Sequence, residues 1–278
     1  MFWNNFRITL YSSATRCEKG GAGPTCSSEA RVSKEKKMPL VVQKFGGSSV
    51  ATLDRIRKAA ARIIDSKKED THLVVVVSAM GDTTDELLSL ASRANSDPPK
   101  REVDLLLSTG EIVSCALLSM SLNSLGAEAV AFTGLQGGII TDNVHTKARI
   151  QKIEAERILE EIHKDRIVVV AGFQGVTRKN IITTLGRGGS DLTAVALAAA
   201  LKADVCEIYT DVEGVYTADP RIVPEARKLK RISYDELLEI ASSGAKVMHL
   251  RAIEVAKNYG VRLHIRSSFN EKEGTIVE

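Results

Sequence analysis

From residue 40 onward, short β-branched runs alternate with segments whose apolar residues recur at three- and four-residue spacing. That alternation is the mark of an α/β fold built on a mainly parallel sheet. Residues 41–44 read as a strand and 53–64 as a helix, while 72–77, with four consecutive valines, reads as a central strand buried on both faces. Helices are expected at 85–94 and 103–125, the second closed by Gly126 as its C-terminal cap. A strand at 129–132, a helix at 148–163 and another buried strand at 167–171 follow. An alanine-rich helix at 192–201 stands behind a glycine-rich turn, and 205–210 reads as the next strand. Ser233 and Glu236 fit a capping box opening a helix at 234–241. Residues 252–259 read as a helix stopped by Gly260, and 262–266 as a last strand; no internal repeat is visible.

Residues 1–38 break this pattern: they lack either period and contain the only tryptophan, Trp3, and a Gly/Ser-rich stretch at 20–28. They read as an unstructured extension ahead of a domain at 39–278. Their hydrophobic, basic start loosely resembles an organelle transit peptide. The position of Met38 directly before the first strand favours an upstream extension instead.

Charge changes the picture only once it is located. Of the net +3, residues 1–38 carry +4, from seven Lys or Arg against three Glu, which leaves −1 for 39–278. The folded part has no basic excess to attract nucleic acid. The longest apolar run is the eight residues 194–201, short of a membrane span. With 44% hydrophobic and 26% charged residues over 278 positions, the composition is globular. Four scattered cysteines form neither a disulfide framework nor a zinc knuckle, which fits reduced thiols in the cytoplasm.

Four stretches carry candidate chemistry. The first strand ends in Lys44-Phe45-Gly46-Gly47-Ser48-Ser49, where a point charge and bare backbone amides suit a phosphate, although alone it reads as a tight strand-to-helix turn. The turn Leu185-Gly186-Arg187-Gly188-Gly189-Ser190-Asp191 offers a guanidinium for a carboxylate or phosphate, while Asp191 equally fits a simple helix cap. Glu111 falls among apolar neighbours on a helix that reads as buried, so its carboxylate needs a partner: a basic side chain, or a ligand ammonium. The strand at 205–210 runs into Thr210-Asp211 and on to Tyr216 and Arg221, beyond a strand's carboxyl end, where open parallel sheets bind nucleotides. Lys246, ahead of a helix, says little by itself, and no histidine or cysteine shows metal-ligand or nucleophile spacing.

Taken in order, KFGGSS, SAMGDTTD, STGE, LGRGGSD, TDVEGVYTADPR and GAKVMH resemble the catalytic domain of the aspartokinases, within the amino acid kinase family, over residues 41–278. The resemblance implies a three-layer α/β/α sandwich around a mainly parallel sheet. It implies transfer of the γ-phosphoryl group of MgATP to the β-carboxylate of L-aspartate, the step that opens lysine, threonine and methionine synthesis. By the same resemblance Lys44, Gly46 and Gly47 hold the transferring phosphoryl group, with Ser48 or Ser49 nearby, and Asp191 orients Lys44 and Lys246. Glu111 takes the α-ammonium and Arg187 the α-carboxylate, with Ser78, Thr84 and Ser190 around the substrate. Lys44, Phe45, Gly46, Gly47, Thr210, Asp211, Tyr216, Arg221, Lys246 and Val247 frame ATP and its Mg2+. No protein metal ligand, nucleic acid or membrane partner is implied.

Aspartokinases commonly continue into paired ACT domains. This sequence ends at Glu278, so a kinase domain alone is expected, as a homodimer or with a separate ACT-bearing subunit. His249-Leu250 stands where many relatives have His-Pro. Acetylglutamate kinase and uridylate kinase share the fold, but a paired Glu111 and Arg187 suits neither, because one substrate lacks a free α-ammonium and the other is a nucleotide. A non-catalytic subunit, or a fragment of a longer enzyme, is the remaining alternative.

Overall fold

A computed structural model describes residues 38–245 and 247–278, so the expectations about the N-terminal extension, its targeting role and Lys246 lie outside the described residues. Eight strands form the main sheet. In spatial order they are β10 (Arg231–Ile232), β12 (Thr275–Val277), β11 (Leu263–Ser267), β9 (Val205–Thr210), β1 (Leu40–Phe45), β2 (His72–Val77), β6 (Ile167–Ala171) and β3 (Ala129–Phe132). Every neighbouring pair is parallel except β11 with β12.

Alternation along these strands sorts the core into two layers. Val75, Val77 and Val169 point to one face and pack with α1 (Leu53–Ser66) and α3 (Lys100–Ser124). Val74, Val76, Val168 and Val170 point to the other, against α4 (Glu156–Ile162), α5 (Gly189–Leu201) and α7 (Leu250–Tyr259). Helices on both faces of one sheet make the expected three-layer α/β/α sandwich. The remaining helices are α2 (Thr83–Ala94) and α6 (Tyr234–Ser242), the latter opened by the expected Ser233–Glu236 capping box. Gly260 closes α7 at φ 63°, a left-handed value that glycine adopts without strain.

The helix expected at 148–163 is corrected. Its first part is β5 (Ile150–Ile153), and only Glu156–Ile162 is helical. Buried Ile150, Ile153, Ile158 and Ile162 mimic a helical stripe in sequence, but Ile153 pairs with Ile139 across a second sheet, and tertiary pairing overrides local period. That sheet has the order β5, β4 (Ile139–Thr141), β7 (Gln174–Val176) and β8 (Ile182–Thr184). Among the described helices α3 alone is long and apolar enough to cross a membrane. It carries Asp104, Ser108, Glu111 and Ser114 on its buried side, which is how a core helix bearing site residues reads, not a lipid-facing one.

Candidate active site

β1 lies between β2, the next strand in the chain, on one side and β9, which returns much later, on the other. Such a switch point opens a crevice at the strands' carboxyl ends. Lys44 lies there, buried, with its Nζ 2.7 Å from Asp191 Oδ1 in the first turn of α5. Just beyond it the chain tightens into a single 3-10 turn at Gly47–Val50. The crowding explains Gly47: a Cβ there would stand 3.0 Å from the Ala79 carbonyl, and the Gly47 carbonyl accepts from the Gly81 amide at 3.1 Å.

The glycines of the second turn are each required. Gly186 (φ 76°) would push a Cβ to 2.9 Å from the Thr146 carbonyl, and Gly188 (φ 70°) would drive one to 2.3 Å from the His249 Cβ. Arg251 grips the turn from α7, donating to the Leu185 carbonyl and, at 3.5 Å, to that of Arg187. Exposed Arg187 is therefore carried on backbone fixed from two sides.

Glu111 projects from α3 towards the same crevice. Its Oε1 accepts from the Ala79 amide at 3.2 Å, whereas Oε2 is buried with no hydrogen-bond partner. Burial pushes its pKa up to about 8, against the weaker pull of backbone hydrogen bonds. A carboxyl so placed is half solvated by protein and half open to a cationic ligand group.

These residues line one cavity of about 440 Å³. Lys44, Gly47, Ser78, Thr84, Glu111, Arg187, Ser190 and Asp191 all face it. The rest of the expected set does not. Phe45 is fully buried and stacks on Tyr209 at 4.6 Å, so a nucleotide can meet only its backbone; this corrects any side-chain role. Gly46 sits beside the cavity, its amide donating to the Tyr209 carbonyl at 3.2 Å. Thr210 closes β9 and donates to Asp211 at 3.1 Å, and the Tyr216 hydroxyl donates to Glu213 at 3.2 Å. Arg221 is 86% exposed and paired with Asp219 at 2.7 Å, and Val247 is half-buried ahead of α7; none of these residues lines the cavity.

Sequence reasoning missed Thr146, Phe173 and Thr184 in the wall, and the fully buried Asp104 behind it. Asp104 lies seven residues before Glu111 on the same buried face of α3, so the argument that singled out Glu111 applied to it as well.

The profile of the amino acid kinase family matches residues 39–267. A Bacillus sp. (strain MGA3) aspartokinase is 59% identical over 87% of this chain, which spans 59% of that relative's length. Among solved structures, aspartate kinase from Synechocystis superposes with a TM-score of 0.77 at 52% identity, covering 86% of this chain and 39% of that one. E. coli aspartokinase III in complex with aspartate and ADP gives 0.75 at 27% identity, over 86% of this chain and 64% of that one. With the switch-point crevice, the Lys44–Asp191 pair and the three-layer sandwich, the profile match over most of the chain means that this protein belongs to the amino acid kinase family.

Proposed function

We propose that the chain transfers the γ-phosphoryl group of MgATP to the β-carboxylate of L-aspartate, giving the acyl phosphate 4-phospho-L-aspartate from which lysine, threonine and methionine synthesis proceeds. The observation that carries this reading is that Glu111, whose buried Oε2 has no hydrogen-bond partner, lines the same cavity as Arg187. An α-amino acid brings an ammonium and a carboxylate on one carbon, and these two side chains are their complements. N-acetylglutamate would leave Glu111 unpartnered, and a nucleotide would bring no cation to it. The aspartate and ADP held by the E. coli relative fit the same reading.

With the α-groups anchored, the β-carboxylate points towards Lys44. Phosphoryl transfer asks a protein mainly for alignment and charge neutralisation. Lys44 supplies positive charge where the phosphoryl oxygens gather, and Asp191 holds its ammonium in place. At Gly46 and Gly47 the backbone lets the phosphoryl group approach without a Cβ in the way, the Gly46 amide itself being engaged by the Tyr209 carbonyl. Thr210, Asp211, Tyr216, Arg221, Lys246 and Val247 are assigned to the nucleotide. Magnesium, which is commonly bound through substrate phosphates and water, would reach this site on the nucleotide.

The test measures ADP release with L-aspartate, N-acetyl-L-glutamate and UMP as acceptors. Turnover with aspartate alone is expected, and turnover with either rival but not aspartate would overturn the assignment. Arg187→Lys, which loses the two-pronged grip, should raise KM for aspartate roughly 10-fold with little change for ATP.

We further propose a homodimer. On α3 the exposed residues Leu105, Val113 and Met120 form an apolar stripe with half-buried Ile112 and Ala116 and no charge. Surfaces of this kind mark association sites. Light scattering after size exclusion should give twice the chain mass, and Met120→Lys should shift it towards the monomer. A wild-type monomer at micromolar concentration would contradict this.

A further inference from the structure

We propose that Asp104 is a positioning residue for the acceptor site, acting through Thr146 and Thr184; the inference rests on the aspartate reading above. Asp104 is fully buried on α3. Its Oδ1 accepts from the Thr184 hydroxyl at 2.5 Å and from the Thr146 amide at 3.0 Å. Its Oδ2 meets the same amide at 3.1 Å and lies 2.6 Å from His145 Nδ1, an arrangement that puts the imidazole proton on Nδ1.

Thr146 is the residue that most needs such an anchor. It has φ 65°, a left-handed conformation strained for a β-branched side chain, and it lines the cavity. Its carbonyl is the atom that Gly186 must clear, and the Thr184 carbonyl accepts from the Ala148 amide at 2.9 Å, three residues before Arg187. One carboxylate thus holds both sides of the corner from which the Arg187 turn leaves.

Asp104 and Glu111 also ride on the same helix, about 10 Å apart along its axis. α3 therefore carries the ammonium subsite directly and braces the carboxylate subsite through Asp104. An amino acid whose two charged groups share one carbon requires those subsites at a fixed separation, and a single rigid helix supplies it.

The experiment compares wild type, Asp104→Asn, His145→Ala and His145→Asn by steady-state kinetics and by calorimetric titration with L-aspartate. Asp104→Asn should raise KM for aspartate about tenfold and weaken calorimetric binding in proportion, while KM for ATP stays within about twofold. A merely structural role would move both constants together, and an equal rise in both, or an unchanged KM for aspartate, overturns the proposal. If Asp104→Asn fails to fold, the His145 pair decides. His145→Ala should raise KM for aspartate severalfold, and His145→Asn, whose amide nitrogen stands where Nδ1 was, should restore it. Equal effects of the two would overturn the proposal. A wild-type chain that neither phosphorylates nor binds aspartate would instead overturn the functional reading itself, and this inference with it, before any variant is compared.

Discussion

Glu111→Gln is expected to weaken aspartate binding while flattening the pH dependence of the empty fold's stability. Losing a charged hydrogen bond to the α-ammonium costs about 1.5–3 kcal/mol, or roughly 10- to 150-fold in kcat/KM for aspartate. The stability effect comes from the carboxyl's displaced pKa. In the unfolded chain it ionises near its ordinary 4.5, and in the empty fold near about 8, because burial penalises the charged form. Between those values the unfolded state has released a proton that the fold retains, so stability falls as pH rises, by up to about 1.4 kcal/mol per pH unit. Glutamine removes that slope. Melting temperatures of the ligand-free proteins should therefore diverge from pH 5 to pH 8 in the variant's favour. Aspartate should bind wild type more tightly as pH rises towards 8 and release a proton on binding, visible by calorimetry in two buffers. Parallel melting curves for the two proteins would contradict the unpartnered placement of this carboxyl.

Lys44→Ala should lower kcat roughly 10²- to 10³-fold, since the proposed function puts its charge where phosphoryl oxygens gather in the transition state. The same change leaves Asp191 without its partner in a mostly buried pair, side chains 11% and 14% exposed. A loss of about 1–3 kcal/mol of stability should accompany it, less than for a wholly buried pair because water still reaches both groups. The double variant Lys44→Met/Asp191→Asn separates the two effects: its melting temperature should recover much of the loss, and its kcat should not. Recovery of both would assign Lys44 a purely structural role.

What could be read in the sequence follows physical scale. The valine strands and α5 were legible as unbroken apolar runs, and α1, α3 and α7 because one-sided burial imposes a helical period over many residues. β4, β7 and β8 have three residues each, too few for a period to show, so the whole second sheet was invisible and β5 was absorbed into a helix. Lys44, Arg187 and Asp191 announced themselves because glycines and charge share a short turn. The burial of Asp104 was open to the argument made for Glu111, but its partners were not, since Thr146 and Thr184 lie 42 and 80 residues away. The resemblance placed Phe45 beside the nucleotide, and its ring, stacked on Tyr209 in the core, leaves its backbone for that contact.

If Glu111 and Arg187 anchor aspartate so that its β-carboxylate receives the phosphoryl group held near Lys44, the acyl phosphate product can be trapped. The chain, supplied with ATP, magnesium and L-aspartate in the presence of hydroxylamine, should yield aspartyl β-hydroxamate in step with ADP, and Glu111→Gln and Lys44→Ala should each suppress both. ADP formed with aspartate present but without hydroxamate, or hydroxamate yield unaffected by Glu111→Gln, would contradict the account.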